Sequence, residues 1–254
     1  MNPIRSLISC IALFVIVVIG AVAAVLWSLG LLIIDGSGKM ITQSELTPTY
    51  QSVVFEGQGN VEFIHDTKYK IEITAEDNLI SYAQREVTNG TLNIRYPYSR
   101  FIPIVRPKEK AIIKVYAPSF SDVTLRGDIK ASGNVSSKTP FKLVTLGNVS
   151  LEGSINADQA TFDTSGNTIL SLSGQVAKGV FDLKGNVSVF SPGLVCKDVN
   201  VTLRGHGDTT LSVKDTLDAS IQGVGSIWYY GNPTVKKNIL GQGTVDKKGD
   251  AYLP

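Results

Sequence analysis

The sequence predicts an all-β fold, a parallel β-helix-like solenoid of about eight repeats, preceded by one N-terminal transmembrane helix. Three observations point there. The first 35 residues contain a long uncharged run, the second half repeats itself about every twenty residues, and each repeat reads as strand, tight glycine turn, strand.

The N-terminal element comes first because it sets the compartment. From Leu7 to Ile34 there are 28 residues without a charge, against about 20 needed to cross a bilayer core. Arg5 is the only charged side chain before the run, which favours a cytoplasmic N-terminus and an exported remainder. Ala21-Val22-Ala23 offers the small residues of a cleaved signal peptide, but the apolar run continues well past it to Ile34, which favours an uncleaved anchor. The expected division is an anchor over 1–34, a polar tether over 35–47 and an exported domain over 48–254.

Cysteine and charge narrow the class. Cys10 lies in the apolar run and Cys196 in the exported part, so no internal disulfide is expected and Cys196 reads as a small core residue. The net charge of the whole chain is +2, with no concentrated basic stripe of the kind nucleic-acid binders carry.

Residues 56 to 120 read as a decorated first section. Alternating runs begin at Val61, Lys70, Thr91 and Ala111, a helical turn fits 75–84, and a proline-punctuated loop starts at Tyr96. From Val123 the repeats follow, with an earlier copy from Ser52, making eight units. Central glycines at 127, 147, 166, 185, 207, 225 and 243 are separated by 20, 19, 19, 22, 18 and 18 residues. Glycine and asparagine belong at such corners because both tolerate left-handed backbone. Alternation on either side sends Leu143, Phe162, Phe181, Val201 and Ile221, or their neighbours, inward. A chain of hairpins would use the same turns. Near-constant steps favour stacked coils, each pairing with the next, and would line up the Gly-Asn-Val-Ser copies at 147–150 and 185–188 on one edge.

The segments GQGNVEFIHD from Gly57, AEDNLISYAQREVTNGTLNIRY from Ala75 and GVGSIWYYGNPTVKKNILGQGTVDKKG from Gly223, with the repeated units between them, resemble the putative auto-transporter adhesin, head GIN domain family of bacterial envelope proteins. The resemblance covers roughly 48–249. It implies a right-handed parallel β-helix-like domain exported to the cell envelope, an adhesive role, and no catalytic residues to carry over.

Chemistry is thinly represented in the residues themselves. His65 and His206 stand apart from any nucleophile or metal-ligand spacing, and Asp163, Asp182, Asp208 and Asp218 are dispersed through turns. No catalytic residue, metal or cofactor is expected. The candidate ligand surface is the loop bearing Tyr96, Tyr98, Arg100, Phe101, Arg106 and Lys108, with Arg95 at its start, because cations beside aromatics suit sugar rings or anionic head groups. The plainer alternative is that Phe101 and Ile102 cover the end of the stack. Trp228-Tyr229-Tyr230 reads as a bulky cap on the last units. The expected function is a non-catalytic, membrane-anchored envelope protein with an adhesive surface, whose partners are the membrane and a glycan or envelope protein. The rivals are a carbohydrate-active enzyme, which needs stacked carboxylates with a basic residue on one face, and an envelope scaffold or sensor that binds a protein.

Overall fold

Glycine-punctuated alternation gives strands that pair mostly with strands distant in sequence. The computed structural model describes residues 3–28, 33–97, 104–137 and 140–252, without the side chains of 3–10, 26, 27 and 136. Helix α1 (Pro3–Ser28) is followed by β1 (Ile33–Asp35), β2 (Met40–Leu46), β3 (Ser52–His65), β4 (Lys70–Glu76) and a 3-10 turn at Ile80–Tyr82. Then come β5 (Gln84–Thr88), β6 (Thr91–Tyr96), β7 (Ile104–Arg106), β8 (Ile112–Ala117) and β9 (Asp122–Ser136). The chain finishes with β10 (Phe141–Ile221), β11 (Val224–Tyr230), β12 (Thr234–Ile239) and β13 (Gln242–Gly249).

The C-terminal half is parallel and in register. Gly147 of β10 pairs with Gly127 of β9, Gly225 of β11 with Gly207 of β10, and Gly243 of β13 with Gly225. Within β10 the chain lies against itself: a Cβ on Gly166 would meet the Gly147 carbonyl oxygen at 2.5 Å, and one on Gly185 would meet that of Gly166 at 2.2 Å. Only glycine admits so close a backbone. This row does not continue through Gly207. It continues through Gly205, Gly223 and Gly241, each against the carbonyl of the one before, so the irregular step of 22 becomes 20.

The N-terminal half departs from this scheme. Strand β3 runs parallel to β6, β8 and β9, and its Ser52 pairs with Asp122, 70 residues on, where the sequence period would give about twenty. Strand β4 is antiparallel to β2 and β8, and β5 to β6. The β5–β6 turn explains its own direction, since Asn89 and Gly90 both have positive φ, 50° and 73°, the geometry of a two-residue hairpin. The expected right-handed parallel β-helix-like solenoid of about eight repeats, with a transmembrane helix before it, is therefore not the fold. The chain is mostly β with mixed pairing: a main sheet of eleven strands and a two-stranded sheet of β1 and β7.

The anchor expected over 1–34 is also revised. The apolar run is divided: α1 ends at Ser28, and Ile33 and Ile34 pair with Ile104 and Val105 of β7. Among the described residues no helix is long and apolar enough to cross a membrane. In the stretch read as a tether, residues 40–46 form β2, paired along its length with β4.

One continuous core runs beneath the strands. Val123, Leu143, Phe162, Phe181, Val201 and Ala219 form one fully buried row, in which the Phe162 and Phe181 rings stack at 4.5 Å. Two residues on, Leu125, Thr145, Thr164, Leu183, Leu203 and Ile221 form another. Alternation places the residues between these rows on the outside, and the outer rows carry whatever the surface does.

Candidate functional site

The loop singled out from sequence is described only in part. Tyr98, Arg100 and Phe101 lie outside the described residues. Tyr96 is a correction: it is wholly buried, in the same phase of β6 as Leu92 and Ile94, and its hydroxyl has no hydrogen-bond partner among the described residues. Burial, with the nearby Glu76 carboxylate, pushes that hydroxyl up to about 12. Arg106 is committed to Asp35, donating from Nε and Nη2 at 2.9 and 3.2 Å. The Lys108 side chain is exposed, while its backbone N–H donates to Glu76 Oε2 at 3.0 Å. These contacts tie the described ends of the loop to β1 and β4.

A different face gathers aromatic side chains. Gly207 lies against Val187, which sets Thr210 beside Phe190, and Thr210 pairs with Trp228 of β11. Phe190 is 53 % exposed and Thr210 is 5 % exposed. The small threonine is thus a floor between two rings separated by two strand spacings, about 9.6 Å. Lys248 of β13 bridges them, its Nζ 6.0 Å from each ring centroid, at the outer reach of a cation–π contact. Two residues along the strands, Tyr230 meets Tyr252 edge-on at 5.6 Å.

Phe190, Tyr230 and Tyr252 line a groove of about 850 Å³, and Thr210 and Trp228 lie beside it, each two residues from a lining residue, Ser212 and Tyr230. Its floor is rich in hydroxyls with assigned hydrogen bonds: Ser212 donates to the Pro192 carbonyl at 2.6 Å, Ser154 to Asn134 Oδ1 at 2.9 Å and Ser173 to the Gly153 carbonyl at 3.3 Å. A hydroxyl that donates inward still accepts from outside. Lys214 and Glu152 add one exposed charge of each sign, and Asp250 sits at the rim, where a hydrogen bond from Lys247 lowers its pKa.

A second strip, of about 670 Å³, shares no residue with the groove. Asn186 donates to Asn167 at 2.9 Å, and Asn167 to Asn148 at 2.8 Å, so the Gly-Asn-Val-Ser copies are joined by an amide ladder. These amides satisfy one another. Ile169 stands out of the strip, 55 % exposed.

The structure also brings together two carboxylates that the sequence left scattered. Lys184 Nζ lies 3.0 Å from Asp163 Oδ1 and 2.9 Å from Asp182 Oδ2, and Arg204 pairs with the other Asp182 oxygen. That is the arrangement an acid–base enzyme would need, but the electrostatics run the other way. Burial raises the Asp182 carboxyl, yet the hydrogen bonds from Lys184 and Arg204 outweigh it and leave the pKa below the usual carboxylate value. A general acid must hold its proton near neutral pH. His65 and His206 are exposed, and the described residues contain no group of three or more His, Cys, Asp or Glu able to hold a metal.

Sequence reasoning missed Phe190, Lys248 and Tyr252 and took Trp228 and Tyr230 for a cap. One signal was present: in GNVSVFSPG from Gly185, Val187 and Val189 take the inward phase, so Phe190 falls on the outward one.

Comparison with known proteins agrees with the family resemblance. Residues 49–233 match the model of the family described as putative auto-transporter adhesin, head GIN domain. The chain is similar in structure to a putative adhesin of Bacteroides fragilis, with TM-score 0.75 and 22 % identity over 84 % of this chain and 99 % of that one. A putative lipid binding protein of Parabacteroides distasonis aligns with TM-score 0.61 and 23 % identity over 85 % and 99 % of the two chains. A putative adhesin of the same organism aligns with TM-score 0.57 and 21 % identity over 85 % and 99 %. At these identities the likeness concerns the fold. No curated protein matches the sequence.

Proposed function

Because this chain belongs to the putative auto-transporter adhesin, head GIN domain family, we propose that it is a non-catalytic, adhesin-like module of the bacterial cell envelope that makes contact through the groove at Phe190 and the Trp228 ring beside it. One observation carries the reading: the exposed Phe190, with the partly exposed Tyr230 and Tyr252, lines an open groove of about 850 Å³. A half-exposed phenylalanine on the solvent phase of a strand contributes nothing to the core, and aromatic rings in concave surfaces are common anchors for ligands. The N-terminal helix supplies the contact with the membrane in this reading. Leu13, Phe14, Ile16 and Ile19 are each more than 60 % exposed, and apolar surface of that extent needs covering.

The test is adherence of the labelled full chain to intact bacterial cells and to isolated envelope material. Wild-type chain adheres saturably, and a Phe190→Ala, Trp228→Ala double variant with unchanged circular dichroism adheres at least tenfold more weakly. Equal adherence by the double variant would move the function to a scaffold bound through another face. Pelleting of the chain with membranes, lost when Leu13, Phe14 and Ile16 are replaced by serine, tests the helix separately.

A further inference from the structure

We propose that the row of Phe190, Thr210 and Trp228, which adjoins the groove at Phe190, takes an extended glycan chain, with alternate sugar rings stacking on Phe190 and Trp228. The proposal rests on the adhesive reading above and names its ligand class. The two rings stand two strand spacings apart, with Thr210 as the floor between them, so their separation of about 9.6 Å matches the repeat of two hexose units in an extended chain. The apolar face of a pyranose ring packs on an aromatic ring, and its edge presents hydroxyls that both donate and accept. The row answers both needs. Ser212, two residues from Thr210, donates into the protein and keeps lone pairs for sugar hydroxyls, while Lys248, whose Nζ lies by both rings, donates to sugar oxygens.

Other occupants fit less well. An acyl chain would lie on a floor of serines and strand their hydrogen-bonding capacity. A peptide strand adds to a sheet through an open edge, whereas Thr210 and Trp228 lie on strands already paired to one another. Charges of both signs at the rim give no field favouring a strongly anionic surface.

The chain holds two tryptophans, so Trp27→Phe leaves Trp228 as its only indole. Titration of this full-length variant with hexasaccharides of glucose, N-acetylglucosamine, mannose and galactose should change Trp228 emission saturably for at least one of them. The matching disaccharide should bind at least tenfold more weakly, because it cannot reach both rings. Phe190→Ala should lose at least tenfold and Phe190→Tyr should stay within threefold. Unchanged affinity in a folded Phe190→Ala protein would overturn the proposal. So would binding to phosphatidylglycerol vesicles with no response to any of the four hexasaccharides. If no hexasaccharide binds but groove-dependent adherence to cells persists, the ligand class is wrong and the adhesive reading stands. If adherence is absent as well, both fall.

Discussion

Gly166 lies so close against Gly147 that a Cβ placed on it would come within 2.5 Å of the Gly147 carbonyl oxygen, and its φ is +104°. Gly166→Ala therefore meets both backbone strain and a clash that no side-chain rotation relieves, and should destabilise the domain by about 3 kcal/mol or more. Gly90 has φ +73° but nothing within 4 Å of its Cβ position, so Gly90→Ala should cost only about 1 kcal/mol. Urea unfolding of the two variants checks the contrast; equal losses would mean that close approach does not set the row.

Glu76 is fully buried and holds two segments at once. Its Oε1 accepts from the Gly38 N–H at 2.7 Å and its Oε2 from the Lys108 N–H at 3.0 Å. Glu76→Ala strands both donors and should cost about 3 kcal/mol, with Glu76→Gln intermediate because the amide offers a single acceptor oxygen. Hydrogen exchange should show the amides of Gly38 and Lys108 opening faster in Glu76→Ala while the β9–β10 amides stay protected.

The Asp163–Lys184–Asp182–Arg204 network gives a pH dependence of known sign. The folded pKa of Asp182 lies below its ordinary 3.8, so its contribution is present above that value and is lost as pH falls through the folded pKa. That of Lys184 lies above 10.5, raised by hydrogen bonds to Asp182 and Asp163. Its contribution is present below 10.5 and lost as pH rises through the folded pKa. The groups are partly exposed, so the effect is about 0.5 kcal/mol and shrinks with salt. Asp182→Asn should be less stable than wild type at pH 7, and the difference should shrink as the pH falls below 3.8 and vanish once the lowered pKa is passed.

Cys196 is completely buried, and burial pushes its thiol up to about 12. In a Cys10→Ser background a disulfide reagent at pH 8 should label the native protein only as fast as the domain opens, and at once in denaturant. Rapid labelling of the native state would contradict the complete burial of Cys196.

Much of the stacking was legible because it rests on glycines that backbone approach demands, and an unusual spacing of such residues shows in sequence. The exception is instructive: Gly205 and Gly207 lie two apart, on the same phase of a strand, so alternation cannot say which of them continues the row. Tyr96 was readable and misread, since TLNIRY alternates and puts it with Leu92 and Ile94; a neighbouring cluster of cations outweighed that signal. Strand β2 resembled a linker because most of it is solvent-exposed, and an exposed edge strand has the composition of a tether. The groove was least visible. Phe190 and Trp228 are 38 residues apart in sequence and come into one row only through a register that is set by packing.

The most direct measurement compares two exposed apolar residues on the two concave strips. Phe190→Ala and Ile169→Ala each remove a side chain more than half exposed, so neither should unfold the chain. Adherence of the full chain to bacterial cells should fall at least tenfold in Phe190→Ala and stay within twofold in Ile169→Ala. The reverse order, or no loss in either, would contradict a contact made through the groove.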